Sequence, residues 1–263
     1  MMQHDTQEAF RARFVFDPAK SFRVGVEREA FIVDATGAPV PRAPEVLRQI
    51  AEHAPEHAAR FGYELSACQI EQRTEPLESH ETVATLRKLR SALDTALIPL
   101  RLRCAYHGVG PPDMPTAVYP DPTGRYERIS RAMPPEKLSA ACRIIGTHIH
   151  IGMPDEETAL RVYNGVIEDL FGLRIAADKT GGERLRLYRT VVEDPSPIRF
   201  ESWAHFHAHA LEYGYAHDPR SNWMLVRITQ WGTIEFRLFD GTDSEEEIGS
   251  WCRECRAKCI AYA

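Results

Sequence analysis

The chain has 263 residues, 43% of them hydrophobic, enough to bury a sizeable core in one large domain or two small ones. A formal net charge of -6, with basic residues scattered rather than striped, excludes a surface built to track a phosphate backbone. No apolar run approaches the ~20 residues that cross a bilayer, and MMQHDTQEAF lacks a secretory apolar core, so a cytoplasmic protein with neither nucleic-acid nor membrane partners is expected.

In chain order, FRVGVEREAFIVD reads as a strand closed by the turn signal ATGAP, and APEVLRQIAEHAPEHA as a helix interrupted at Pro55. FGYELSACQIEQRT is extended again. The run from Glu81 to about Leu97 is an amphipathic helix with Val83, Leu86, Leu89, Leu93 and Leu97 on one side. LRCAYHGVGPP reads as a strand ending at a Gly-Pro-Pro corner, and ACRIIGTHIHIGMPD as a strand bounded by Pro154. The spacing of Leu160, Val162, Val166, Ile167, Leu170 and Ile175 predicts one helix from Glu156 to about Ala177, and another is predicted from Phe200 to Glu212. NWMLVRITQWGTIEFRLFD places two extended runs around Gly232, the pattern of a hairpin. From Ser244 the acidic run SEEE opens a capped helix. No repeat or Gly/Ser linker divides the chain, so residues 1–263 are expected to form a single catalytic domain. Strands and helices lack the strict alternation of a doubly wound fold. We therefore expect an α+β fold, a largely antiparallel sheet with helices packed on one face.

The six cysteines are too sparse for a disulfide scaffold. Cys252, Cys255 and Cys259, at i, i+3 and i+7, read as the packing stripe of a helix rather than a metal site. His205, His207 and His209 would resemble ligands on an extended segment, but their neighbours read as ordinary helix packing. His53, His57, His80 and His217 read as surface residues.

Polar pairs inside the predicted strands are more informative. Residues two apart share a strand face, so Glu27 with Glu29, His148 with His150, and Glu235 with Arg237 each project together. Glu64 and Glu71 are an odd number apart and share a face only if a bulge or turn near Ser66 intervenes. Any one pair fits a wet strand face. Several carboxylates on strands with dense apolar neighbours would repel one another and lose hydration unless cations neutralise them. An oxygen-rich donor set with an imidazole and no thiolate suits Mg²⁺, or Mn²⁺, the ions that commonly hold nucleotide phosphates. Arg237 beside Glu235 is placed to clamp a phosphoryl group or a carboxylate. No GxxxxGK[ST] loop occurs, so ATP would not enter by a P-loop. Arg28, on the other face of the first strand, reads as incidental.

GVEREAFIVD, YELSACQIEQRTEP, RYERIS, GTHIHIG and WGTIEFRLFD, in that order from about Gly25 to Asp240, together resemble the carboxylate–amine ligase family related to glutamate–cysteine ligase. The resemblance implies a glutamine-synthetase-like catalytic sheet and an enzyme that uses ATP and Mg²⁺. ATP would phosphorylate a carboxylate, typically the γ-carboxyl of glutamate, and cysteine or another small amine would attack the acyl phosphate. Carried over by motif, Glu27, Glu29, Glu64, Glu71, His150 and Glu235 fall on metal-ligand positions. Arg237 falls on the position contacting the transferred phosphate, with Glu235 beside it as the catalytic pair. Arg186, in GGERLRLYR, falls in the region used for substrate. The partners implied are a small amino acid and an amine, with self-association left open. Two other readings stay open from the residues: a metal-dependent hydrolase using the Glu-X-Glu and His-Ile-His pairs, and a non-catalytic nucleotide- or amino-acid-binding domain.

Overall fold

The structure, a computed structural model, describes residues 6–263; of the segment read above for a secretory signal, residues 1–5 lie outside the described residues. Among the described residues the strands are β1 (Val24–Val33), β2 (Phe61–Tyr63), β3 (Gln69–Arg73), β4 (Arg103–Ala105), β5 (Gly146–Gly152), β6 (Val226–Ile228) and β7 (Thr233–Asp240). The helices are α1 (Gln7–Arg11), α2 (Ala43–His53), α3 (Thr82–Leu97), α4 (Arg125–Ala132), α5 (Pro135–Arg143), α6 (Glu156–Glu168), α7 (Phe171–Ala177), α8 (Glu183–Val191), α9 (Trp203–Glu212) and α10 (Glu245–Ala261). All seven strands join one antiparallel sheet in the order β2-β3-β1-β5-β7-β6, with β4 also pairing β1.

The long β1 sits centrally because its two faces want different surroundings. Its even-numbered Val24, Val26, Ala30 and Ile32 are buried against helices. Leu89 and Leu93 of α3 and Val46 and Ile50 of α2 cover one part of that face; Val162 and Val166 of α6 and Ile248 and Cys252 of α10 cover another. The odd-numbered Glu27 and Glu29 point the other way, into a cleft framed by side chains from α4, α5 and α8. The expected α+β sheet with most helices on one face is what folds, and these three helices are the exception that walls the cleft.

Several segments depart from the sequence expectation. The predicted helix from Glu156 to Ala177 breaks at Asp169–Leu170 into α6 and α7, and the restart turns Ile175 outward to 65% exposure. ACR at residues 141–143 ends α5 instead of starting a strand, because Pro135 in the first helical turn nucleates a helix upstream. LRCAYHGVGPP contributes only the three residues of β4. Arg28 is not incidental. It is fully buried under the sheet, where its guanidinium pairs with Glu245 at 2.8 Å, donates to the Thr242 carbonyl and lies 3.8 Å from the Tyr106 ring centroid. It thereby docks the N-terminus of α10. The cysteine stripe holds, with Cys252, Cys255 and Cys259 all buried in the main core. The histidine segment is the helix α9, in which His209 bonds the Tyr215 hydroxyl and His207 packs on Phe10.

Candidate active site

Strand register assembles the polar residues into a lateral band across the sheet. Glu71 of β3 lies opposite Glu29 of β1, Glu27 of β1 opposite His148 of β5, and His150 of β5 opposite Glu235 of β7. Arg227 of β6 lies opposite Glu235 in turn. The β2–β3 hairpin turns at Ser66–Cys68, where the Ser66 hydroxyl accepts from the Cys68 N–H, and so brings Glu64 onto the side of Glu71. Between Thr147 and Ile149 the register shifts, with Thr147 opposite Phe239 and Ile149 opposite Phe236. Two β7 residues, Arg237 and Leu238, therefore face the single His148. Bulges of this kind re-aim a side chain next to a site; here Arg237 lines the cleft.

Two groups of three donors result, Glu27/His150/Glu235 and Glu29/Glu64/Glu71, each with ligand atoms within 4.8 Å of one another. They open into one cleft of about 300 Å³. His148 stands between the groups, its Nδ1 3.4 Å from Glu27 and its Nε2 3.7 Å from Glu29.

The groups differ electrically. Burial opposes charge on Glu27, but His150 and His148 outweigh it and hold the carboxyl well below its usual range. Burial likewise opposes charge on Glu235, and the Arg227 and Arg237 guanidiniums overcome it, keeping the carboxyl ionised. In the second group like charges add to burial. Glu29 is pushed up to about 8 by desolvation and by Glu64, although it accepts the Gly146 N–H at 2.7 Å. Glu71 is raised well above its usual value by desolvation, Glu27 and Glu64, and Glu64 is raised chiefly by desolvation. Three adjacent carboxylates, Glu29 and Glu71 buried and Glu64 half-buried, that cannot share their charge unaided call for a cation.

The donors fit divalent metal. The His150 Nδ1 is hydrogen-bonded to the Thr233 hydroxyl at 2.9 Å, while its Nε2 is buried without a hydrogen-bond partner and faces Glu27 at 3.5 Å and Glu235 at 3.9 Å. A histidine oriented through one nitrogen and presenting the other among carboxylates is the arrangement metal ligands take. Five carboxylates and one imidazole suit a hard ion such as Mg²⁺.

The six metal-ligand candidates thus come together, as does Arg237, which lies between Glu235 and the Tyr188 hydroxyl. Arg186 does not join them. It projects from α8 toward Glu183 with its side chain 68% exposed, outside the cleft lining. Two residues earlier on the helix the side chain turns inward: Arg184 is buried and donates to the carbonyls of Ile145 and Arg237. Arg227 was missed, yet a hairpin centred on Trp231 would have put it opposite Glu235. His148 was signalled by its period-two pairing with His150, though not its place between the two groups; Arg184 and Thr233 gave no such signal, because their roles depend on cross-strand and helix–sheet contacts.

The pattern of glutamate–cysteine ligase family 2 matches residues 23–176. This chain belongs to glutamate–cysteine ligase family 2. The matched span of this family 2 chain holds both glutamates of β1, Glu64, Glu71 and His150, while Glu235 and Arg237 lie beyond it. A putative glutamate–cysteine ligase 2 of Gloeobacter violaceus is 29% identical over 255 residues, covering 89% of this chain and 66% of the relative. The family 2 chain therefore spans about two thirds of that relative's length. Among solved structures, a bifunctional glutathione synthetase from Pasteurella multocida superposes with TM-score 0.63 at 15% identity, covering 92% of this chain and 39% of that one. A structure titled apo GmaS without ligand superposes with TM-score 0.51 at 14% identity, covering 98% and 58%. At such identities these show the fold alone, and it is glutamine-synthetase-like.

Proposed function

We propose that this chain carries the catalytic sheet of an ATP- and Mg²⁺-dependent ligase that joins a carboxylate, most simply the γ-carboxyl of glutamate, to the amine of cysteine or another small amine. The single observation behind this reading is the pair of adjacent donor groups with Arg237 beside them, in a chain of glutamate–cysteine ligase family 2. Glu27, His150 and Glu235 would hold one ion, and Glu29, Glu64 and Glu71 another. Bound there, the ions supply positive charge against the phosphoryl oxygens.

The chain's own residues set the geometry. Glu235 fixes Arg237, whose guanidinium is a permanent positive charge where negative charge gathers during transfer. An oxygen of the substrate carboxylate attacks the γ-phosphorus, and the bond to ADP breaks. The amine nitrogen then attacks the acyl carbon, loses its proton, and phosphate departs with the former carboxylate oxygen. No side chain needs to act as a strong base until the amine arrives. A zinc hydrolase using the same residues is disfavoured by the preponderance of carboxylates in the donor set.

ADP release measured with Mg²⁺ across pairs of amino acids and amines tests this reading. One or more pairs should raise ADP above the no-amine control, and Glu235→Gln and Arg237→Ala should each slow that release by about a hundredfold. Equal rates in the variants, or failure of every pair, would contradict it.

A further inference from the structure

We propose that Trp231 is the platform for the purine base of the nucleotide, an assignment that rests on the ligase reading above. Trp231 is 70% exposed, the most exposed aromatic side chain among the described residues, and it lines the cleft. Among the described residues no aromatic ring or guanidinium stacks on it. The other rings of the cleft are engaged: Trp223 faces the Arg237 guanidinium at 5.6 Å, and Tyr126 meets Tyr63 edge-on, itself stacked on Tyr119. Toward Arg184 the cleft ring is Tyr188, which is buried and engaged by Trp223 edge-on and by the Arg184 guanidinium at 5.9 Å, beside the aliphatic Ile144. One indole face is left open at the mouth of a site whose floor suits phosphates.

Its place along the chain matches the ligand. Trp231, Thr233, Glu235 and Arg237 are spaced by two. Thr233 orients His150, Glu235 is a metal-ligand candidate, and Arg237 stands where phosphate would transfer. Glu235 lies two strand residues, roughly 7 Å, in from Thr233 at the start of β7, and Trp231 stands beyond Thr233 in the turn, which leaves room for a ribose and the first phosphate between base and metal. The turn that holds the ring is stiff. Gly232 has φ +67, and a Cβ there would meet the Val15 carbonyl oxygen. Val15 donates to the Gln230 carbonyl, Met153 to the Gly232 carbonyl, and Trp231 itself to the Thr229 hydroxyl at 3.2 Å. The backbone that carries this large, solvent-facing ring is thus held in place, which lowers the cost of offering it for stacking.

The test compares Mg²⁺-ATP with Mg²⁺-tripolyphosphate, which has the phosphates and no base, by calorimetric titration of wild type, Trp231→Ala and Trp231→Phe. Wild type should bind ATP at least about tenfold more tightly than tripolyphosphate, the order expected of one base on one ring. Trp231→Ala should remove most of that margin while leaving tripolyphosphate binding unchanged, and Trp231→Phe should keep much of it. If wild type binds both ligands equally, or Trp231→Ala retains the full margin or weakens both ligands alike, the assignment is overturned and the phosphate site stands. If wild type binds neither, the ligase reading falls and takes the assignment with it.

Discussion

Arg28 and the cleft carboxylates occupy alternate positions on one strand, and their fates follow from what faces them. Glu27 and Glu29 were readable from period-two alternation alone. Arg28 was not, because its partner Glu245 lies more than two hundred residues away and nothing local announces it. Removing a buried partner leaves an uncompensated group, so Arg28→Ala should lower the unfolding free energy by about 3 kcal/mol in denaturant titrations. The pair also predicts a pH dependence. Burial works against charge on Glu245, but Arg28 prevails and holds its carboxyl below the ordinary value. A carboxyl with a lowered folded pKa stabilises the fold fully above the unfolded pKa, about 4.3, and loses that contribution as pH falls through the folded one. The stability gap between wild type and Glu245→Gln should therefore be constant from pH 7 to about 5 and shrink in more acidic buffer. A gap that widened on acidification would contradict the assignment.

At the scale of elements, local signals that close on themselves were legible. The Gly232 hairpin, the α3 stripe and the Ser244 cap each depend on residues within a turn or two, and each is present. The requirement of a turn near Ser66 was met by the β2–β3 hairpin, which joins Glu64 to Glu71. The break between α6 and α7 escaped because apolar spacing continues through Leu170, which is buried, although the backbone leaves helical geometry at Asp169 just before it. Likewise the direction of α8 decides between Arg184 and Arg186, and periodicity could not choose without knowing where the sheet lies. The Ser244 hydroxyl accepts from the Glu247 N–H at 3.2 Å. Ser244→Ala should accordingly destabilise the protein by about 1 kcal/mol in thermal or denaturant melts. An unchanged midpoint would contradict a stabilising role for that cap.

Across the whole molecule, one sheet puts opposite demands on its two faces. The helical face binds apolar side chains from distant segments into a core. The other face gathers donors from β1, the β2–β3 hairpin, β5 and β7 into two adjacent groups. Motif order along the chain foretold which residues would meet. It did not foretell that they divide into two sets of three, since that depends on strand register and on the bulge that sets Arg237 against His148. The central claim, that this face transfers phosphate to a carboxylate before an amine displaces it, is tested most directly by isotope tracing. With an active substrate pair and the acid's reacting carboxylate labelled with heavy oxygen, the account predicts a labelled oxygen in the inorganic phosphate for each amide formed. Phosphate released without label, alongside amide product, would contradict it.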